Sequence, residues 1–355
     1  MQKPPQGRSQ KRVLITGWSG YIGPIMVKIL KQQGHDVAGL DTGYFDDCWM
    51  EPIHDRGPVL RKDVRDVQAA DLAGFDAVVH LAALSNDPMG ELRPEWTYQI
   101  NLEGSLHLAR VAREAGVSRF LLSSSCSIYG ASEHEKATET APLQPLSAYA
   151  FSKVRTEEGL ERLADRYFSP VYLRNATAYG ASPRMRLDLV LNNLTAWAYT
   201  TGRVQVMSDG TPWRPLVHIE DIARAFAAVL DAPRDAVHNQ AFNVGADTEN
   251  YQVKDLADLV REEVPGSVIA YSGQSAPDPR NYRVDFSKIR AMVPAFQPVW
   301  NARKGVAELH AAFRRASLHA DDLQSRNYIR LKQLKHLLDT HELEEELRWK
   351  KVAAA

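Results

Sequence analysis

The sequence predicts an α/β protein: a doubly wound parallel sheet with a smaller C-terminal α/β lobe and a helical tail. Three observations carry this reading. Short all-apolar runs alternate with stretches of helical period, a glycine-rich turn joins the first such pair, and the rhythm loosens beyond Arg174. Runs that are apolar at every residue belong to strands buried on both faces, as in a parallel sheet covered by helices.

Residues 1–11 are polar and basic with Pro4 and Pro5, and are expected to form a disordered leader. Val13-Leu14-Ile15 is the first strand and ends in Thr16 and Gly17. Ile22, Ile25, Met26, Ile29 and Leu30 recur at helical spacing, with Pro24 tolerable in the first turn and Gly34 as a stop. Strands are predicted over 36–40 and 77–81, at Phe120-Leu121-Leu122 and at Val171-Tyr172-Leu173, with helices over 94–115 and 149–167 between them. The serine-rich segment 123–130 reads as a loop. The first lobe is thus expected over 12–174. A second lobe over 175–315 holds a helix-like stretch at 187–199 and a polar turn at Ser208-Asp209-Gly210. Phe242-Asn243-Val244-Gly245 looks like one more strand of the main sheet, so the lobes interleave. Residues 316–355 read as an accessory tail, with Leu331, Leu334 and Leu338 on one helical face for packing or oligomer contact.

A chain of 355 residues accommodates two joined lobes. Its 43 basic and 44 acidic residues leave a net charge of −1, which gives no electrostatic footprint for nucleic acid or acidic membranes. Any phosphate must be held by local groups. Cys48 and Cys126 cannot build a disulfide framework, and no Cys/His spacing suits a metal, so none is expected. No signal-like segment and no run of about 18 apolar residues occurs. The expectation is a cytoplasmic protein, neither secreted nor membrane-spanning.

Gly17, Gly20 and Gly23 stand at Gly-x-x-Gly-x-x-Gly spacing between the first strand and first helix. Gly17 permits a tight turn, Gly20 a close approach of backbone to a pyrophosphate, and Gly23 close packing of helix on strand. The helix N-terminus adds backbone N–H groups and positive dipole. Asp41 closes the second strand near the ~20-residue offset at which a carboxylate meets the adenosine ribose hydroxyls. It would repel a 2′-phosphate, so NAD is favoured over NADP. Asp63, followed by Val64, either lies beside the adenine or serves as a helix N-cap.

Tyr149 and Lys153, four residues apart, share one helix face. Upstream, the serine segment leaves a strand at the carboxyl edge of the sheet, where open α/β folds bind ligands. Ser125, Tyr149 and Lys153 beside a nicotinamide form a proton-transfer apparatus. Removing hydride from a carbinol carbon requires loss of its hydroxyl proton, and a neighbouring ammonium favours the phenolate that takes it.

Together these residues resemble the extended short-chain dehydrogenase/reductase family, a Rossmann-type fold, and most nearly its nucleotide-sugar epimerase branch. The likeness runs from about residue 12 to 312. It rests on the glycine loop, Asp41, Asp63-Val64-Arg65-Asp66, His80-Leu81-Ala82-Ala83, Asn101, the serine segment with Tyr129-Gly130, Tyr149 with Lys153, and residues 214–221. The resemblance implies Tyr149 as acid and base, Lys153 on the nicotinamide ribose and Ser125 on the sugar hydroxyl. It implies cofactor contacts from Tyr21, Ile22, Leu81, Ala82, Ala83 and Asn101, and substrate contacts from Ser85 and Cys126. Asn193 and Leu194 would meet the nucleotide base, while Arg214 and Arg280 would hold the substrate diphosphate. A homodimer through the helices bearing Asn101 and Tyr149 is also implied.

Departures sharpen this reading. The dehydratase branch carries an Asp-Glu pair where this chain has Cys126 and Ser127; the decarboxylase branch has Glu, and the 3,5-epimerase branch a working Cys, in place of Ser127. Thr177 occupies the place of a substrate-binding Asn, so either Thr177 substitutes or Asn175 reaches round. Of Arg184 and Arg186, one is expected to be solvated and one structural, with a sugar-carboxylate site, and hence a uronic-acid nucleotide, as the alternative. The leading expectation is NAD-dependent 4-epimerisation of a nucleotide sugar through a transient 4-keto intermediate. The rivals are an NAD(P)-dependent oxidoreductase of a nucleotide-linked keto sugar and a non-catalytic dinucleotide sensor.

Overall fold

Val13, Leu14 and Ile15 are sealed from solvent on both sides and form the middle of β1 (Arg12–Thr16). In this computed structural model, which describes residues 10–53, 57–85, 92–131, 136–272 and 280–350, β1 lies inside a seven-stranded sheet. Its other members are β2 (Asp36–Asp41), β3 (Val59–Arg61), β4 (Ala77–His80), β5 (Arg119–Ser125), β6 (Ser169–Asn175) and β10 (Gln240–Val244). The order is β10-β6-β5-β4-β1-β2-β3, and every neighbouring pair is parallel. The doubly wound Rossmann-type sheet is therefore present, and β10 is the returning strand read at 242–245. The strand order reverses between β1 and β4, which opens a crevice beyond their carboxyl ends.

One face of the sheet is covered by the helix Gly23–Gln32, which packs against Ile219–Asp231 through Ile222 and Phe226. That second helix lies downstream of residue 174, so the interleaving extends beyond β10. The opposite face buries Leu108, Ala109 and Val111 of Ser105–Glu114 together with Leu334 and Leu337 of the tail helix Arg330–Asp339. The tail is thus a packing element of the first lobe, with Leu337 buried in addition to the predicted stripe. Past β6 a smaller sheet of β7 (Thr177–Tyr179), β9 (Trp213–His218) and β11 (Asn250–Gln252) runs in the order β11-β9-β7, and β8 (Arg203–Val206) pairs with β12 (Val268–Tyr271). Their core gathers Leu191, Val204, Leu256 and Val306.

Four boundaries differ from the sequence reading, each for a local reason. The helix expected over 94–115 is interrupted at Tyr98–Gly104 by a π-helical stretch, in which Asn101 brings its amide onto both backbone groups of Leu84. The helix expected to reach 167 ends at Glu161, because Asp165 captures the N–H groups of Tyr167 and Phe168 in a turn. The serine segment is not loop from 123: β5 continues to Ser125, which pairs with Asn175, and a short 3-10 turn Cys126–Tyr129 follows. The helix read at 187–199 runs Val190–Thr201 and stops at Gly202 in the left-handed conformation. The leader expected over 1–11 lies outside the described residues as far as Ser9. Among the described residues no helix is long and apolar enough to cross a membrane, and no cluster of His, Cys, Asp and Glu could hold a metal ion.

Candidate active site

The carboxyl ends of β1, β2, β4 and β5 and the start of the second lobe enclose one cavity of about 710 Å³. Its floor is the glycine loop. Gly17 has a φ of +73°, and a Cβ there would stand 2.7 Å from the Ala82 nitrogen; a Cβ on Gly23 would stand 2.1 Å from the Trp18 carbonyl oxygen. Side chains are therefore excluded at these positions, which leaves the loop as bare backbone of the kind a diphosphate can approach. Gly20, Tyr21 and Ile22 line the same wall, as do Leu81, Ala82 and Ala83 from the end of β4. His80 itself is buried behind them, its ring nitrogens hydrogen-bonded to the hydroxyls of Thr16 and Ser105, and burial pulls its pKa down to about 3.

Asp41 reaches the cavity from the tip of β2, where its two oxygens accept the N–H groups of Ser19 at 2.9 Å and Gly43 at 2.7 Å. Burial raises its pKa against those two bonds. Asp63 takes the capping role: it caps the turn Val64–Asp66, accepting from the Arg65 N–H, and with Val64 it lines the cavity. Burial pushes its carboxyl up, but the Arg65 hydrogen bonds outweigh this and hold it below the usual carboxylate value. These groups, with the cleared glycine cradle, fit NAD: Asp41 would meet an unsubstituted adenosine ribose, and the backbone of the glycine loop would meet the diphosphate.

The three reactive candidates converge on the far end. Ser147 caps the helix Ala148–Glu161 by accepting from the Ala150 N–H, which places Tyr149 in its first turn and Lys153 one turn on. Lys153 is 3% exposed, and its ammonium lies 5.7 Å from the Tyr149 ring centroid and donates to the Ser123 carbonyl oxygen at 2.7 Å. Burial lowers its pKa to about 8, and Glu157 offsets part of that fall. Ser125 lines the cavity beside them, its hydroxyl accepting the Ser127 N–H at 3.1 Å. The Ser127 hydroxyl has no hydrogen-bond partner among the described residues.

On the substrate side Ser85, Thr177, Asn193, Leu194, Arg214 and Arg280 all line the cavity. Asn193 donates to the Leu187 carbonyl oxygen and Arg214 to that of Arg280, so these segments brace one another. Asn175 is present as well as Thr177. Its amide nitrogen is bonded to Ser123 and Ser124, which leaves Oδ1 buried with no partner among the described residues, an acceptor suited to a sugar hydroxyl.

Two expected contacts are corrected. Cys126 does not reach the cavity: it is fully buried, and its Sγ lies 3.0 Å from the Arg174 carbonyl oxygen. The chain turns directly after β5, so successive residues there face opposite sides. Asn101 also stands behind the wall, because both ends of its amide are spent on Leu84. It shapes the loop that carries Ser85. The solvated arginine expected at 184 or 186 is absent too. Arg184 donates to the carbonyl oxygens of Phe45, Asp46 and Cys48, and Arg186 lies in the cavity wall with its fork on Asp188 and Nη1 on Ser85. Sequence reasoning missed Thr42, Tyr44 and Phe45 after β2, and Arg330 of the tail, all of which line the cavity. The first three followed Asp41 closely enough to be suspected, whereas nothing in the tail's charge pattern singles out Arg330.

The model of the NAD dependent epimerase/dehydratase family matches residues 13–245. A UDP-glucose 4-epimerase of Corynebacterium glutamicum is 30% identical over 266 residues, covering 71% of this chain and 80% of that protein. UDP-glucuronic acid decarboxylase 1 of Arabidopsis thaliana is 28% identical, covering 89% of this chain and 73% of that protein. Among solved structures MoeE5, determined with UDP-glucose and NAD and with UDP-glucuronic acid and NAD, gives a TM-score of 0.74 at 26% identity over 86% of this chain and 100% of that one.

Proposed function

The chain belongs to the NAD-dependent epimerase/dehydratase family, and from that premise we propose that it epimerises a nucleotide sugar at C4. The observation that carries this reading is the inventory of acids in the cavity. Among the described lining residues the carboxylates are Asp41 and Asp63, at the adenosine end, and Asp188, which Arg186 neutralises. None is available beside Ser125, Tyr149 and Lys153 to take a ring proton for elimination of water. What the reacting end offers is a phenol, an ammonium and hydroxyls, the set for moving one hydroxyl proton.

Bound NAD supplies the acceptor for the C4 hydride and returns it. Tyr149 takes the C4 hydroxyl proton on its phenolate oxygen and gives it back when the ring is reduced. The nearby Lys153 ammonium stabilises that phenolate electrostatically. Ser125 holds the same sugar oxygen by hydrogen bonding, and Asn175 and Ser127 offer further polar contacts that a ring turned over in the pocket can use. Arg214 and Arg280 meet the substrate diphosphate, for which a planar, permanently charged fork is suited. A uronic-acid substrate loses its argument from Arg184 and Arg186, whose forks are spent on backbone and Asp188.

The test is NMR on purified protein with NAD and pairs of C4-epimeric UDP-, dTDP-, GDP- and CDP-sugars. Interconversion of one pair without net redox change is expected. Failure with all pairs overturns the reading, and steady consumption of added NADH with a keto sugar replaces it by a net oxidoreductase. The proposal includes a cytoplasmic setting and a homodimer through the helices bearing Asn101 and Tyr149, the second of which has Phe151 44% exposed. Light scattering on the native protein and on Phe151→Glu checks the dimer.

A further inference from the structure

Arg330 begins the tail helix, is 3% exposed, and yet lines the cofactor cavity. Nη2 donates to the Arg184 carbonyl oxygen at 2.9 Å, the guanidinium lies 4.6 Å over the Phe45 ring, and the Cys48 thiol contacts the same group. Nη1 has no hydrogen-bond partner among the described residues. Nor does any carboxylate pair with Arg330 among them: its charged neighbours are Arg184, Arg186 and Asp188, and Asp188 is already held by Arg186. Burial pulls the guanidinium down to about 10, with the neighbouring arginines adding to the fall. A desolvated cation with an unfilled donor destabilises a fold unless a ligand completes it.

The surroundings say which anion completes it. Phe45 belongs to the loop that follows Asp41, the group placed for the adenosine ribose. Tyr328 and Ile329, the residues just before Arg330, pack in one cluster with Tyr21 and Ile22 of the glycine loop. The guanidinium thus sits on the loop that follows Asp41, at the start of a helix whose preceding residues share a hydrophobic cluster with the glycine loop. The tail is also held to the first of these, since the Trp349 indole N–H donates to the Thr42 carbonyl oxygen at 2.7 Å and the Tyr44 hydroxyl donates to that of Leu347. We propose that Arg330 is a cofactor-binding residue, whose Nη1 takes a diphosphate oxygen of NAD and which closes the cavity from the C-terminal tail. This holds for whichever sugar reaction the chain catalyses.

The test is calorimetric titration of the nucleotide-free full chain and its Arg330→Met variant with NAD, ADP, adenosine and UDP, with circular dichroism to establish that the variant is folded. NAD and ADP are expected to bind about 10- to 100-fold more weakly to the variant, the range of a charge-assisted hydrogen bond, with adenosine unchanged. An equal loss for adenosine makes Arg330 a brace for the Phe45 loop and overturns the proposal. Unchanged NAD and ADP overturn it as well, and a loss confined to UDP assigns the group to the substrate instead. Should Arg330→Met fail to fold, Arg330→Lys keeps the charge without the fork, and ADP must still weaken relative to adenosine.

Discussion

The ammonium of Lys153 donates to the carbonyl oxygen of Ser123 at 2.7 Å, which ties the helix carrying Tyr149 to the strand carrying Ser125. One hydrogen bond thus links two elements that are separate in sequence and that, in the proposed mechanism, act on one substrate oxygen. A buried ammonium held this way cannot swing out to solvent, so its charge stays beside the phenol.

Under the proposed mechanism Tyr149→Phe removes the proton acceptor from the cavity wall while keeping the ring. Turnover is expected to fall by about 10²- to 10⁴-fold, the usual share of general acid–base catalysis. NAD affinity should change little. NMR rates together with NAD titration separate the two effects.

Lys153 gives a pH signature. Its folded pKa, lowered by burial to about 8, lies below the ordinary lysine value of 10.5. Between those values the unfolded chain binds the proton and the folded chain does not, so this group makes stability rise with pH through that window. Below about 8 both states hold the proton and the burial cost of the charge remains. Urea denaturation at pH 8 and pH 10, compared with Lys153→Met, should show the variant lacking that rise. Turnover should decline above about pH 8 as the ammonium is lost.

Arg174 and Glu157 form a buried ion pair at 2.7 Å, each side chain 8% exposed, and Glu157 also accepts the Ser124 hydroxyl at 2.5 Å. Arg174→Met leaves that carboxylate buried without its cation. A loss of about 3–5 kcal/mol in urea denaturation is expected.

Gly23→Ala puts a Cβ 2.1 Å from the Trp18 carbonyl oxygen and 2.8 Å from that of Gly17, where only backbone movement can make room. The variant should lose about 1–3 kcal/mol of stability by overpacking and should also lose NAD binding. A variant that bound NAD normally would show that the glycine loop is not the cradle.

Cys48 and Cys126 are both buried, and burial pushes both thiols up. An aromatic disulfide reagent should find no reactive thiol in the native protein within minutes and two in denaturant. Cys126→Ala is expected to leave substrate affinity unchanged, because that side chain does not reach the cavity.

Much of the site is legible along the chain because its parts obey short-range rules. An apolar run followed by Gly17, Gly20 and Gly23, a carboxylate at the end of the next strand, and Tyr149 four residues before Lys153 each depend on period and turn chemistry within a few residues. The misread start of the serine loop and the misassigned Cys126, both at the end of β5, have a different origin in long-range pairing. Whether Ser125 or Cys126 faces the cavity depends on where β5 stops, and pairing of Ser125 with Asn175 decides that.

The amino-acid order alone determined the parallel sheet, the glycine turn between first strand and first helix, and the placing of Tyr149 and Lys153 one turn apart on a helix, since alternation and spacing leave few other ways to bury the apolar runs and satisfy the backbone. The tertiary structure decided what the long cations do. Arg184, Arg186 and Arg330 look alike as residues of charged segments, yet the first is spent on the loop after β2, the second on Asp188, and the third keeps a donor for the cavity. Their partners lie as far as 146 residues away, as in the bond from Arg330 to Arg184. A flexible side chain takes its role from whichever groups packing brings within hydrogen-bond reach, and no local pattern records that.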